Sequence, residues 1–187
     1  MIGHFPFPPL AKGAGGILKS TLSEAHAIPA LGGTYALWLS CPRSADIRIG
    51  ALGAHAIPRG WYAYVGSAFG PGGLRARCRH HLRPLRRRHW HIDHLRPAAA
   101  VRAIWFTSDP VPREHLWAAV LRKMKNAAMP VPGFGSSDCG CPTHLVHFST
   151  RPSLPIFQRE ILGRMPGHAA ITAFSAGTPR QPRRNAL

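Results

Sequence analysis

Tyr62-Ala63-Tyr64-Val65-Gly66-Ser67-Ala68, followed by Leu74-Arg75-Ala76-Arg77-Cys78-Arg79-His80-His81, is the stretch that decides the fold. An aromatic, β-prone run stops at a glycine. A turn built from Gly70, Pro71, Gly72 and Gly73 then opens a cationic helix. Leu74, Cys78 and Leu82 recur every four residues and make an apolar stripe for a sheet to cover. The spacing predicts a helix over 73–83, ended by Pro84, because proline bars the helical region to the residue before it. Arg75, Arg79 and Arg83 form a second column, read as a solvated basic face that is open to phosphate. Arg77 and His81 flank the stripe on its other side. There partial dehydration would strengthen a charge-assisted contact to phosphate. A strand edge beside such a helix suits gripping a phosphodiester.

Outward from this unit, strand-like runs lie at 33–40 (with Gly33-Thr34-Tyr35 at its start), 46–50 and 61–67. Val101-Arg102-Ala103-Ile104-Trp105-Phe106 and His144-Leu145-Val146-His147-Phe148 read as two more strands. Pro112 introduces a helix over about 113–126, with Leu116, Trp117, Val120, Leu121 and Met124 as its apolar stripe. The fold predicted is α/β in composition (α+β), a small central β-sheet flanked by helices. Three stretches are expected along the chain. Residues 1–30 read as a loose leader and 31–150 as the folded domain. Residues 151–187 read as a C-terminal extension whose Gly/Pro/Arg-rich end, from about 165, is expected to be disordered.

The charge balance is lopsided. Among 187 residues, 24 Lys+Arg stand against 7 Asp+Glu, a formal charge of +17. Most of the cations are arginine, whose planar fork suits phosphate. A taste for arginine codons would raise that count, but it does not explain so few acids. The balance points to a polyanionic partner, nucleic acid first, and the basic run Arg86-Arg87-Arg88 adds to it. No apolar run approaches the ~20 residues that a membrane span needs. No secretory signal is evident, and four cysteines do not make a disulfide framework. The expectation is a cytoplasmic protein without a membrane partner. Composition says nothing of oligomeric state.

Two clusters offer metal ligands. Asp138-Cys139-Gly140-Cys141 with His144 is one, and His89, His91, Asp93 and His94 make the other. Cysteine and histidine at short separations are the usual donors for tetrahedral Zn2+. The same residues also read as a tight turn held by Asp138, with small thiols that simply pack.

Taken together, Gly33-Thr34-Tyr35 and Tyr64-Val65-Gly66 resemble the two name motifs of the GIY-YIG nuclease superfamily. Trp90-His91-Ile92-Asp93-His94-Leu95 and Gly133-Phe134-Gly135-Ser136-Ser137-Asp138-Cys139-Gly140-Cys141 look like its Uri-type branch. The resemblance covers most of residues 32–148. It implies a metal-dependent endonuclease that hydrolyses DNA, with DNA favoured over RNA. Tyr35 and Tyr64 would flank the scissile phosphate, and one would help deprotonate water if nearby cations lowered its pKa. Arg77 would meet the phosphate, with His81 one turn on, while Arg75, Arg79, Arg83, Arg86, Arg87 and Arg88 would bind the backbone. Glu114 would hold Mg2+ or Mn2+, although it equally complements its helix dipole. Typical members place that ligand deeper in the helix, where this chain has Leu121. Asp93 and Asp138 are further candidates for the divalent site. The alternative is a non-catalytic nucleic-acid-binding module on the same fold.

Overall fold

The computed structural model describes residues 25–176. Strand β1 (Thr34–Cys41) pairs antiparallel along its whole length with β4 (Gly60–Ser67), from Thr34 opposite Ser67 to Cys41 opposite Gly60. On its other side β1 pairs with β5 (Ala100–Thr107). With β6 (Leu145–Phe148) beside β4 and β7 (Thr172–Ser175) beside β5, the order is β6-β4-β1-β5-β7, antiparallel throughout. The connection from β1 to β4 carries a separate two-stranded hairpin, β2 (Ala45–Arg48) with β3 (Ala54–Ile57). The strand expected at 46–50 therefore exists as β2, but it stands outside the main sheet.

Both faces of the five-stranded sheet are covered, which is why its strands read as apolar runs rather than as alternation. Tyr35, Leu37, Leu39, Tyr62 and Tyr64 face α1 (Gly73–Leu82) and α2 (His91–Leu95), where Leu74, Cys78, Ile92 and Leu95 complete one core. Ala36, Trp38, Ala63, Val65 and Trp105 point the other way. They pack with Trp117, Val120 and Leu121 of α3 (Glu114–Lys123) and with Phe157 and Ile161 of α4 (Leu154–Arg164). The result is a mixed α+β fold, a five-stranded antiparallel sheet with helices on both faces.

At both ends the sequence reading needs correction. Ile28 is fully buried, and the segment after it supplies the acceptors that a helix start lacks. Leu74 N–H donates to Leu31 O and Arg75 N–H to Pro29 O. The rest of the expected leader, residues 1–24, lies outside the described residues. Residues 165–176, expected to be disordered, are folded: β7 completes the sheet edge, and Ile171, Phe174 and Ala176 are buried. Trp117 Nε1–H donates to His168 Nε2 at 2.9 Å, tying this stretch to α3. Four apolar or aromatic anchors in twelve residues outweigh the Gly/Pro composition around them. Residues 177–187 lie outside the described residues.

Candidate active site

Tyr35 and Tyr64 sit on adjacent strands and the same sheet face, two positions out of register, since Tyr35 stands opposite Gly66 and Tyr64 opposite Leu37. Gly66 is needed there. A Cβ at that position would come within 2.6 Å of Tyr35 Oη and 2.7 Å of its Cζ, so the ring crosses where a side chain would be. His81, on the last turn of α1, completes the group, its Nε2 lying 2.9 Å from Tyr35 Oη. Burial, with His80 and Arg96 nearby, pushes the His81 imidazole down to about 3, so the ring is neutral. Its Nδ1 is enclosed without a partner. A buried orphan acceptor is tolerated better than a buried orphan N–H. The favoured tautomer therefore carries its proton on Nε2, donates to Tyr35 Oη, and leaves the Tyr35 hydroxyl hydrogen free.

The protein's own charges alone leave both tyrosine pKa values raised, so an activated phenol would need the charge of a bound metal ion as well. Burial pushes Tyr35 well above its ordinary value, and neighbouring Tyr64 adds to the effect. Burial and then the Glu114 carboxylate do the same to Tyr64. Arg77 pulls both down and does not prevail. The surroundings formed by the protein alone favour both phenols as neutral O–H groups.

Arg77 leaves α1 toward the same space, its guanidinium carbon 4.5 Å from the centre of the Trp90 ring. That stacking holds the arginine at the wall. Glu114 reaches in from α3. Its Oε2 accepts from Ser67 Oγ at 2.5 Å, and its Oε1 lies 2.8 Å from His144 Nδ1. Burial works against the ionised carboxylate, but the His144 and Ser67 hydrogen bonds outweigh it and hold Glu114 below its usual range. Leu121 is wholly buried in the opposite core, so the first turn of α3, not its middle, presents the carboxylate. Tyr35, Tyr64, Ser67, Arg77, Glu114 and Asp138 all line one open cleft of roughly 400 Å³. Gly135, with φ +71, lets its loop pass Tyr64, and its N–H donates to His91 Nδ1 at 3.0 Å.

Other expected residues fall elsewhere. Asp93 is fully buried and caps α2, accepting from the His89 and Trp90 N–H groups at 2.9 and 3.1 Å, with Arg96 alongside. Its Oδ2 serves this cap, while Oδ1 lies beside Arg96 and His80 in a group with His80 and His81, and Asp93 is not among the residues lining the cleft. The histidine cluster disperses as well: His89 and His91 line the cleft, while His94 Nδ1 lies 3.0 Å from Arg48 O in β2. Arg75 is not a free solvated cation, since its Nε–H donates to Ile28 O. Arg79 is half-buried, with Nε enclosed. Arg83, Arg86, Arg87 and Arg88 are exposed and line a second, larger groove of roughly 850 Å³ with Arg96 and His80. His89 lines both, so basic groove and cleft meet there.

The cysteine loop comes together with a partner the sequence reading missed. Cys139, Cys141 and His144 gather with His115 of α3, while Asp138 faces the cleft instead. Ser67 and His115 were not legible as site residues, and Trp90 was quoted only as part of a motif. Each looks ordinary in its own segment, and His115 is 24 positions from Cys139.

The sheet, the helix following β4 and the tyrosine pair define a GIY-YIG-like protein. The family model described as "Domain of unknown function DUF123" matches residues 34–165, and the chain belongs to that family. No curated protein and no solved structure matches it.

Proposed function

We propose that this chain is a metal-dependent endonuclease of the Uri-type GIY-YIG branch, hydrolysing phosphodiester bonds in DNA within the cytoplasm. One observation carries the reading. Five groups from four separate elements (Tyr35, Tyr64, Ser67, Arg77 and Glu114) converge on one open cleft that continues into an arginine-lined groove. The groove would track the backbone by charge alone. At the cleft, Arg77 would pair with non-bridging oxygens, where negative charge grows as the bond to the leaving oxygen lengthens. Its stacking on Trp90 fixes the guanidinium before substrate arrives. Tyr35 and Tyr64, kept neutral, would donate to and orient the water or the departing oxygen rather than remove a proton.

The donor set fits a hard divalent cation. Glu114 is held ionised, and each of its oxygens retains a second lone pair beyond the contact already made. Asp138 and Ser67 add oxygen donors on the same cleft wall. Glu114, aided by Asp138, would hold Mg2+ or Mn2+. Such an ion supplies Lewis-acid stabilisation and activated water to phosphodiester hydrolysis.

The second reading, a binding module without turnover, is favoured by one observation. Both tyrosines stay protonated, and so does His81's Tyr35-facing nitrogen in the tautomer argued above, so none of these three is set to take a proton from water. Incubating the protein with supercoiled plasmid, branched DNA and RNA, with Mg2+, Mn2+ or EDTA, separates the two. The nuclease reading expects metal-dependent strand cleavage that EDTA abolishes. Retention of DNA without cleavage under every condition supports the binder.

A further inference from the structure

We infer that the chain holds one zinc ion in a Cys2His2 site made by His115, Cys139, Cys141 and His144, and that this ion positions Glu114. One donor atom from each of the four residues lies within 4.8 Å of all the others. Tetrahedral zinc, with bonds of about 2.0–2.3 Å, sets its donors ~3.3–3.8 Å apart. The pair His144 Nε2 and Cys139 Sγ is already at 3.5 Å. A modest contraction closes the set.

Three features point to zinc rather than to chance packing. Two thiols and two imidazoles are a soft, four-donor set suited to zinc and poorly suited to Mg2+. Cys139 and Cys141 are free cysteines near the surface, and His115 is exposed, so an ion has a path in. His144 is buried and oriented. With Nε2 at the cysteines, its Nδ1 stands 2.8 Å from Glu114 Oε1, the carboxylate–histidine–metal arrangement that fixes a ligating imidazole. Binding would convert the two thiols to thiolates and release two protons, leaving the ion with its four ligands neutral overall.

The ion would act on the cleft through His144. Ligation would pin the ring whose other nitrogen faces Glu114 at 2.8 Å, and it would anchor the loop that presents Gly135 and Asp138. The role is positioning, and it holds whether or not the chain cuts DNA.

The test uses the full chain purified without chelators. Elemental analysis should find about one zinc per chain, and Co2+ exchange should give the visible bands of a tetrahedral thiolate complex. His115→Ala, at an exposed position, should cost more affinity than the roughly 10–100-fold expected when an outer-sphere partner is lost. Glu114→Gln should fall in that 10–100-fold range, and Asp138→Asn should bind zinc as the wild type does. Protein without zinc that gives no thiolate–cobalt bands, or a His115→Ala chain that binds zinc at full affinity, overturns the site. So does an Asp138→Asn chain that loses the ion. None of these readouts uses nucleic acid, so their failure leaves the nuclease reading untouched.

Discussion

Gly66 stands where the Tyr35 ring passes, and that single contact links a motif glycine to the geometry of the cleft. Alanine at an unstrained, open glycine position would stabilise the chain by about 0.4–1 kcal/mol through the unfolded state. Here the obstruction is a buried ring whose hydroxyl is tied to His81, not the loose end of a flexible side chain. Gly66→Ala should instead cost about 1–3 kcal/mol from overpacking. Urea denaturation checks the sign, and an unchanged or higher midpoint would contradict this account of the glycine. Individual residues were unevenly legible. Arg77, Tyr35 and Tyr64 stood out because motif and periodicity coincide on one helix and two strands. Ser67 and His115 did not, because their roles depend on partners 47 and 29 positions away: Glu114 for Ser67, His144 for His115.

Short elements carry much of the architecture, and α2 shows how. Asp93 sits at its third position and accepts from the N–H groups of Trp90 and His89, with Arg96 3.5 Å away. Burial raises its pKa, but those backbone bonds and the His80 and Arg96 charges bring it below the usual value. A depressed folded pKa means that this stability is fully present above the unfolded value, about 4, and is lost as pH falls through the folded one. Asp93→Asn should lose about 1–3 kcal/mol at pH 7. Its urea midpoint should also depend less on pH between 5 and 3 than that of the wild type. Equal pH slopes in the two proteins would show that Asp93 is not the group involved. Among elements, α1, β1, β4 and β5 were legible because apolar periodicity and turn residues agreed. Strand β3 was not, since Ala54-His55-Ala56-Ile57 has little β character and owes its form to pairing with β2. Strand β7 was hidden by its Gly/Pro/Arg-rich surroundings, and pairing with β5 makes it.

Across the whole molecule, the +17 chain includes one basic feature beside the cleft, the groove of Arg83, Arg86, Arg87, Arg88 and Arg96, which shares His89 with it. No helix among the described residues is long and apolar enough to cross a membrane. If four to six phosphates are contacted, log K for duplex DNA should fall with log salt at a slope of roughly −4 to −5. Replacing Arg86, Arg87 and Arg88 together with alanine should make that slope shallower by roughly 2–3. Salt-independent affinity would remove the electrostatic argument. The net charge was legible from composition, but the groove was not, because the arginines of its loop meet Arg96 only once α2 folds back on α1. The central claim is that Arg77 serves the reaction while the exposed groove arginines Arg83, Arg86, Arg87 and Arg88 serve binding, and single-turnover cleavage at saturating DNA with Mg2+ or Mn2+ tests it most directly. Arg77→Ala should slow the wild-type rate by on the order of 10²–10³, Arg77→Lys should restore it only in part, and Arg87→Ala, in the groove, should leave it nearly intact. A wild type that never cuts, or Arg77→Ala and Arg87→Ala chains that lose affinity alone, would contradict the account and leave a binding module in its place.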